Sequence, residues 1–167
     1  MDVYNFIMSR YRRVIIPGAT YFFTVVSYRR RPILCDASVR AALRDALHTV
    51  HARHPFTIDA WVLLPDHLHC IWTLPPDDGD FSGRWGIIKR LVSLACAGDY
   101  YREDWMTASK IKHRESTFWQ RRYWEHCIRN DADFSHHIDY TRKGLDPFIN
   151  THFHTPILLR PHVGSDL

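Results

Sequence analysis

The strongest constraint on the fold is a predicted β-hairpin between residues 57 and 74. Apolar residues occupy alternate positions on both sides of Pro65-Asp66, a dipeptide typical of turns. They are Ile58, Ala60, Val62 and Leu64 before the turn, and Leu68, Cys70, Trp72 and Leu74 after it. Because side chains on a strand alternate between its two faces, one face of each segment could cover a core. The pattern predicts two antiparallel strands joined by a short turn.

Two histidines flank Leu68 on the second strand of this hairpin. The period of two places His67 and His69 on one face, opposite the apolar residues. Two neighbouring imidazoles are what a metal site needs. On this spacing alone, two half-exposed histidines on a solvated strand face are the better explanation, because short motifs often match by chance.

The other patterns place the hairpin in a larger sheet. Residues 21–28 are rich in aromatic and β-branched side chains and predict a first strand. Residues 36–54 and 81–95 have helical apolar spacing, with Asp36 a plausible N-cap. We expect a loop or partly disordered segment over 98–116, a fourth strand over 118–124 and a helix over 131–143. The order β-α-β-β-α-β-α is that of the α+β, ferredoxin-like (split βαβ) fold, with one four-stranded antiparallel sheet.

Composition indicates a single globular domain over residues 1–167. The chain has 46% hydrophobic residues, and 22 basic against 18 acidic residues give a net charge of +4, which is consistent with a polyanionic partner. Its four cysteines are widely spaced and form no C-x-x-C pair, and no apolar segment is long enough to cross a bilayer. We therefore expect a cytoplasmic protein with free thiols and no membrane partner.

Basic residues lie beside aromatic residues at three places in the chain. A solvated edge is the simpler explanation for any one of these clusters, but three of them together begin to indicate a nucleic-acid surface. The clusters are Arg10, Arg12 and Arg13 around Tyr11, then Arg29, Arg30 and Arg31 after the first strand, and Arg121 and Arg122 between aromatic residues.

Three separated motifs resemble those of the REP-associated tyrosine transposases, a single-tyrosine family of the HUH class of DNA nucleases. The motifs are Leu64-Pro-Asp-His-Leu-His-Cys-Ile-Trp72, Trp119-Gln-Arg-Arg-Tyr-Trp-Glu-His-Cys-Ile-Arg-Asn130 and His136-His-Ile-Asp-Tyr140. They follow the family order, and the resemblance runs from about Tyr11 to Tyr140. Such an ordered set is far more specific than His-x-His alone.

The resemblance implies a function for each motif. His67 and His69 would bind a divalent metal, magnesium or manganese, and Tyr140 would attack a DNA phosphodiester to leave a 5′-phosphotyrosine and a free 3′ hydroxyl. Without the family order, Tyr140 would be explained as a tyrosine that packs its ring on the sheet. The implied substrate is a DNA hairpin with a short single-stranded flank. The residues expected to contact DNA are Arg10, Tyr11, Arg12, Arg13, Arg29, Arg30 and Arg31.

One position departs from the family. Relatives usually carry an Asn or Gln four positions after the tyrosine that completes the metal ligands, whereas this chain has Gly144, and residues 144–167 diverge from the family. Glycine also favours the end of a helix. The metal could then be held by two protein ligands, or by a substitute such as His136, one helical turn before Tyr140, which could instead orient the phenol or the phosphate.

Two other functions fit the sequence. The same fold could bind hairpins without cleaving them, which the loss of the amide at Gly144 favours. An unrelated metal or nucleotide hydrolase could use His67 and His69 without Tyr140, but Ile71 stands where a third histidine would be expected. A monomer and a homodimer are both compatible with the sequence.

Overall fold

The computed structural model describes residue 13 and residues 15–143. Its strands are β1 (Thr20–Val26), β2 (Thr57–Leu63), β3 (His67–Thr73) and β4 (Trp124–Cys127). Its α-helices are α1 (Ala37–Arg53), α2 (Phe81–Ala95), α3 (Ala97–Tyr100), α4 (Ala108–Lys112) and α5 (Asp131–Lys143). Two short 3-10 helices cover Tyr28–Arg30 and Glu103–Trp105.

The four strands form one sheet in the order β2-β3-β1-β4, and each neighbouring pair is antiparallel. The pairing of β1 with β3 runs from Thr20 opposite Thr73 to Val26 opposite His67. Strands β1 and β2 are therefore parallel, with β3 between them and α1 as their connection. The predicted antiparallel α+β sheet and the order of its main elements are confirmed.

The main core lies between one face of the sheet and the two long helices α1 and α2. Leu68, Cys70 and Trp72 point into it from β3 and are fully buried, as the alternating pattern predicted. The indole rings of Trp72 and Trp85 stack with their centroids 4.4 Å apart, which joins β3 to α2. The apolar residues that α1 and α2 bury recur every three or four positions, so each helix covers the sheet with one side.

The opposite face of the sheet is covered by α5. A smaller apolar cluster joins Phe22, Ala60 and Ile71 of the sheet to Ile138 and, at its edge, Phe134 of the helix. Because α5 covers only part of this face, polar residues of the central strands lie beside it. This arrangement determines where the candidate site forms.

The position of the fourth strand was predicted wrongly. The strand covers Trp124–Cys127 rather than residues 118–124. Phe118 and Trp119 are both buried in the core, and one isolated bridge joins Trp119 to Ser27. Two adjacent residues of a regular strand would point to opposite faces, so this aromatic pair is incompatible with the predicted strand.

The segment over residues 98–116 was expected to be irregular, but it contains α4, a 3-10 helix and the end of α3. Its polar side chains pack against aromatic rings. Lys110, for example, places its Nζ 3.9 Å from the ring centroid of Tyr28. The polar composition of this segment therefore did not predict its order, because the contact of a cation with an aromatic ring depends on a residue distant in sequence.

The four cysteines are free thiols, as expected. Within residues 13 and 15–143, no helix is both long enough and apolar enough to cross a membrane.

Arg84 is a buried cation at one end of the core. It lies on α2, is 2% exposed, and donates hydrogen bonds to the carbonyl oxygens of His54 at 3.1 Å and Pro55 at 2.9 Å. It also donates to the carbonyl oxygen of Asp80 at 2.8 Å and the carboxylate of Asp78 at 2.6 Å. One guanidinium thus ties the start of α2 to the end of α1.

We expect Arg84→Leu to lower the free energy of unfolding by about 3 kcal/mol, because a carboxylate and several carbonyls would lose their donor. Urea unfolding measures the change. Arg90→Leu, at an exposed position on the same helix, is the control and should change stability by about 0.5 kcal/mol or less. Equal losses in the two variants would contradict this role of Arg84.

Candidate active site

Two histidines of β3 form the centre of the candidate site. His67 and His69 lie on the sheet face that α5 partly covers, and their ring centroids are 4.8 Å apart. His69 is only 5% exposed, so it is not the half-exposed residue that the simpler sequence explanation required. The prediction that the two rings share a face is confirmed, and one of them is buried.

Each imidazole is oriented by an oxygen at its Nδ1 atom. The Nδ1 of His67 lies 2.6 Å from Oδ1 of Asp66, and the Nδ1 of His69 lies 2.8 Å from Oγ1 of Thr24. Arg30 in turn donates to Asp66 at 2.9 Å. Among the residues that the structure describes, neither Nε2 has a hydrogen-bond partner. Metal-binding histidines are commonly oriented in this way, with one nitrogen anchored and the other left as the ligand.

The charge states of these groups suit a metal ligand. Burial, together with the neighbouring His67, lowers the pKa of His69 to about 4, so its imidazole is neutral near neutral pH. Burial raises the pKa of Asp66, but hydrogen bonds from His67 and Arg30 outweigh that effect and leave its pKa below the ordinary value. The carboxylate is therefore ionised and can accept a hydrogen bond from His67.

Tyr140 lies above the histidines on α5. Its ring centroid is 5.2 Å from that of His69 and 6.1 Å from that of Phe22. Tyr140 is 53% exposed, so its ring contacts the sheet while much of the side chain remains open to solvent. The structure thus brings together the tyrosine and the two histidines that the motifs singled out.

A hydrogen-bonded group that sequence reasoning missed connects α5 to β4. Asp133 lies 2.8 Å from Nε2 of His126, and its other carboxylate oxygen lies 3.2 Å from Nδ1 of His137. The ring of His137 packs on Phe22 at 4.8 Å. The spacing of Asp133 and His137 by four residues was a visible helical signal, but the contribution of His126 from β4 was not visible. Possible metal-ligand atoms of these three residues lie within 4.8 Å of one another. Nδ1 of His137 also hydrogen-bonds to the backbone carbonyl of Asp133 at 2.9 Å.

The structure describes His136 but not Gly144 or the first three residues of the N-terminal cluster predicted to contact DNA. His136 is exposed, and its ring contacts His137 at 5.5 Å. In the described part of the chain it makes no ring contact with Tyr140. Gly144 and the rest of residues 144–167 lie outside the described residues, as do Arg10, Tyr11 and Arg12. Their predicted roles therefore stay predictions.

Two of the predicted DNA-contacting arginines are engaged within the fold. Arg13 lies 3.1 Å from the buried Glu125 and 4.6 Å over the ring of Tyr123. Arg31 donates to the carbonyl oxygens of Tyr100 at 3.1 Å and Thr117 at 2.8 Å. Such contacts indicate that Arg13 and Arg31 support the structure.

The other two arginines of the second cluster are exposed. Arg29 and Arg30 have positive φ angles of 58° and 52°, which turn the chain sharply after β1. The guanidinium of Arg29 lies 4.5 Å over the ring of Trp105, and Arg30 pairs with Asp66 next to His67. Their charges therefore lie at the surface, and the charge of Arg30 lies beside Asp66, the partner of His67.

The pKa of His69 predicts a pH-dependent stability. An ordinary histidine titrates near pH 6.5, so between about pH 6.5 and 4 the unfolded chain binds a proton at His69 that the folded chain does not. The contribution of His69 to the free energy of unfolding is fully present above pH 6.5. It should fall by about 3 kcal/mol as the pH drops from 6.5 to 4.

Urea unfolding at pH 7 and at pH 4.5 measures this effect. His69→Gln should remove most of the extra loss at low pH, because glutamine does not titrate. His48→Gln, at an exposed position on α1, is the control and should retain the wild-type pH dependence. The same pH dependence in His69→Gln and the wild type would show that another group is responsible.

Comparisons with known proteins show which proteins the chain is similar to. No family model matches the chain. The chain is 45% identical over 133 residues to the REP-associated tyrosine transposase of Escherichia coli, which covers 80% of this chain and 70% of the relative. It is 34% identical over 133 residues to a Haemophilus influenzae protein provisionally given the same name, covering 80% of this chain and 73% of the relative.

A solved structure shows the same similarity. It is that of a REP-associated tyrosine transposase bound to a REP hairpin, with a TM-score of 0.65 and 42% identity. The match covers 89% of this chain and 75% of that one. At this identity and coverage, the chain belongs to the REP-associated tyrosine transposase family.

Proposed function

We propose that the protein is a metal-dependent endonuclease and strand transferase for single-stranded DNA at hairpins. The observation that carries the proposal is the pair of oriented histidines next to the half-exposed Tyr140, whose ring is 5.2 Å from that of His69. A relative of 42% identity is bound to a REP hairpin, which supports a hairpin as the substrate.

The histidine pair fits a divalent metal. Both Nδ1 atoms are anchored to oxygens and His69 is neutral, so the Nε2 atoms of His67 and His69 are suited to hold the ion. Magnesium and manganese are the expected ions, and imidazole is a better ligand for manganese than for magnesium. When bound, the metal would offset negative charge on the phosphate and on the leaving oxygen.

Tyr140 would supply the nucleophile. A phenol is a weak nucleophile until its proton leaves, and the exposed position of Tyr140 gives that proton a route to solvent. Its oxygen would form a bond to phosphorus while the bond from phosphorus to the 3′ oxygen breaks, and the leaving oxygen would take up a proton. The resulting phosphotyrosine retains the energy of the phosphodiester, so transfer to a new 3′ hydroxyl would need no ATP.

Positive charge beside the site would hold the DNA backbone. Arg29 and Arg30 are exposed, and Arg30 is linked through Asp66 to His67. Lysine and arginine contacts to phosphates provide affinity without sequence specificity. Contacts from Arg10, Tyr11 and Arg12 remain predictions, as do the cytoplasmic location and the choice between monomer and homodimer.

The second candidate is a hairpin-binding module of the same fold that has lost cleavage. Gly144 favours it, because glycine has no side chain with which to complete the metal ligands. Formation of a covalent adduct separates the two candidates.

We expect wild-type protein, incubated with manganese and a labelled hairpin that carries a single-stranded flank, to form an adduct that survives denaturing electrophoresis. Tyr140→Phe removes only the phenolic oxygen, so the adduct should disappear while hairpin affinity stays within about twofold, a change of less than 0.5 kcal/mol. Tyr101→Phe, which alters another half-exposed tyrosine, is the control and should form the adduct normally. Hairpin binding without any wild-type adduct would favour the binding module.

Asp66→Asn tests the metal. The neutral amide accepts a hydrogen bond from His67 more weakly than the carboxylate, so manganese affinity should fall about 10- to 100-fold. Isothermal titration calorimetry measures the affinity, and Asp77→Asn, at an exposed loop position, is the control. Unchanged affinity in Asp66→Asn would argue against His67 as a ligand.

A further inference from the structure

We propose that Trp124 stacks on a nucleobase of the single-stranded DNA flank, next to the phosphate that Tyr140 would attack. This inference rests on the proposed function, and it assigns a base-binding position to β4. Half of the Trp124 side chain is exposed, although it is one of the largest apolar side chains of the molecule.

Trp124 is the outer member of a column of three nearly parallel rings. Its ring lies 5.9 Å from that of His126 at an interplanar angle of 6°, and His126 lies 4.7 Å from His137 at 16°. Nε2 of His126 hydrogen-bonds to the carboxylate of Asp133, and Nδ1 of His137 donates to the backbone carbonyl of Asp133 at 2.9 Å, so the inner rings are fixed. The indole packs parallel to the ring of His126 and edge-on to that of Phe22. These contacts restrain its plane before any ligand arrives, which lowers the entropy cost of binding a flat partner.

The strand register places Trp124 in line with the candidate metal ligand. Thr24 pairs with His69 on one side and with Trp124 on the other, so these three residues form one row across the sheet. With neighbouring strands about 4.8 Å apart, the backbone of Trp124 lies about 10 Å from that of His69. The ring of Phe22 lies between those of Trp124 and Tyr140, with its centroid 5.7 Å from the Trp124 ring and 6.1 Å from the Tyr140 ring.

A nucleobase is the partner that fits this position. Every base has a flat aromatic face, and a strand whose phosphate reaches Tyr140 would bring an adjacent base within reach of the row. Strand β4 is at the edge of the sheet formed by the described residues, and half of Trp124 is open to a partner. Exposed Arg121 and Arg122 precede this strand, and Arg121 pairs with Glu115 at 3.3 Å.

The test measures hairpin affinity in the Tyr140→Phe background, where no cleavage can interfere. Trp124→Ala should weaken binding of a hairpin with a single-stranded flank about 5- to 100-fold, the range of a lost base-stacking contact. Trp124→Phe keeps an aromatic face and should retain most of the affinity. A hairpin without a flank should bind to all of these variants alike, and Tyr101→Ala is the control for loss of an exposed aromatic side chain.

Abasic substitution along the flank locates the base. At one flank position, removal of the base should weaken the binding of protein that retains Trp124 by the same factor as Trp124→Ala weakens binding of the intact flank. The same abasic flank should bind the Trp124→Ala protein as tightly as the intact flank does. Thermal unfolding checks that the variants are folded, and Trp124→Leu, which keeps apolar volume without a ring, replaces Trp124→Ala if the latter is unfolded.

Two results would overturn the inference. One is an unchanged flank affinity in the folded Trp124 variant, and the other is an abasic effect that is the same with and without Trp124 at every position. In both cases the hairpin is still bound, so neither result counts against the proposed function. If the wild-type protein binds no hairpin, the proposed function is wrong, and this inference is wrong with it.

Discussion

The pairing of β1 with β3 is the interaction on which the site depends. It places Thr24 opposite His69 and so supplies the oxygen that orients the buried imidazole. A shift of one residue would exchange the two faces of β3, moving His67 and His69 into the core and Leu68 towards solvent. The large apolar side chains on the core face oppose such a shift. Core packing and the geometry of the site are thus determined by the same register.

Asp133 fixes the position of α5 against β4, the two elements of the site that lie outside the β1–β3 pair. It lies on α5, which carries Tyr140, and its carboxylate hydrogen-bonds to Nε2 of His126 on β4, which carries Trp124. Its backbone carbonyl accepts a hydrogen bond from Nδ1 of His137 on the same helix. Burial raises the pKa of Asp133, but the hydrogen bond from His126 and the backbone N–H of Arg129 outweigh that effect and keep its pKa below the ordinary value. The carboxylate is therefore ionised, and the candidate nucleophile and the proposed base-stacking position share one electrostatic anchor.

The arginines show how one residue type has different roles in the same protein. Arg84 is buried and tied to backbone carbonyls and Asp78. Arg31 donates to the carbonyls of Tyr100, at the end of α3, and Thr117, so both arginines stabilise the fold. Arg29 and Arg30 are adjacent to Arg31 in sequence but lie at the surface. Charge clustering in the sequence did not separate the arginines that bind backbone carbonyls from the exposed ones, because a run of arginines carries no information on which of them face carbonyl groups.

Local patterns were sufficient to predict the hairpin, the long helices, and the shared face of His67 and His69, because strand and helix periods depend only on residues near in sequence. The family motifs added Tyr140. Tertiary structure alone decided the burial of His69, the place of β4, and the grouping of His126, Asp133 and His137. The wrongly predicted fourth strand shows the reason: Phe118 and Trp119 are aromatic because they fill the core, and their local composition resembles that of a strand. Distances between β3, β4 and α5 arise from packing between segments far apart in the chain, which no local period records.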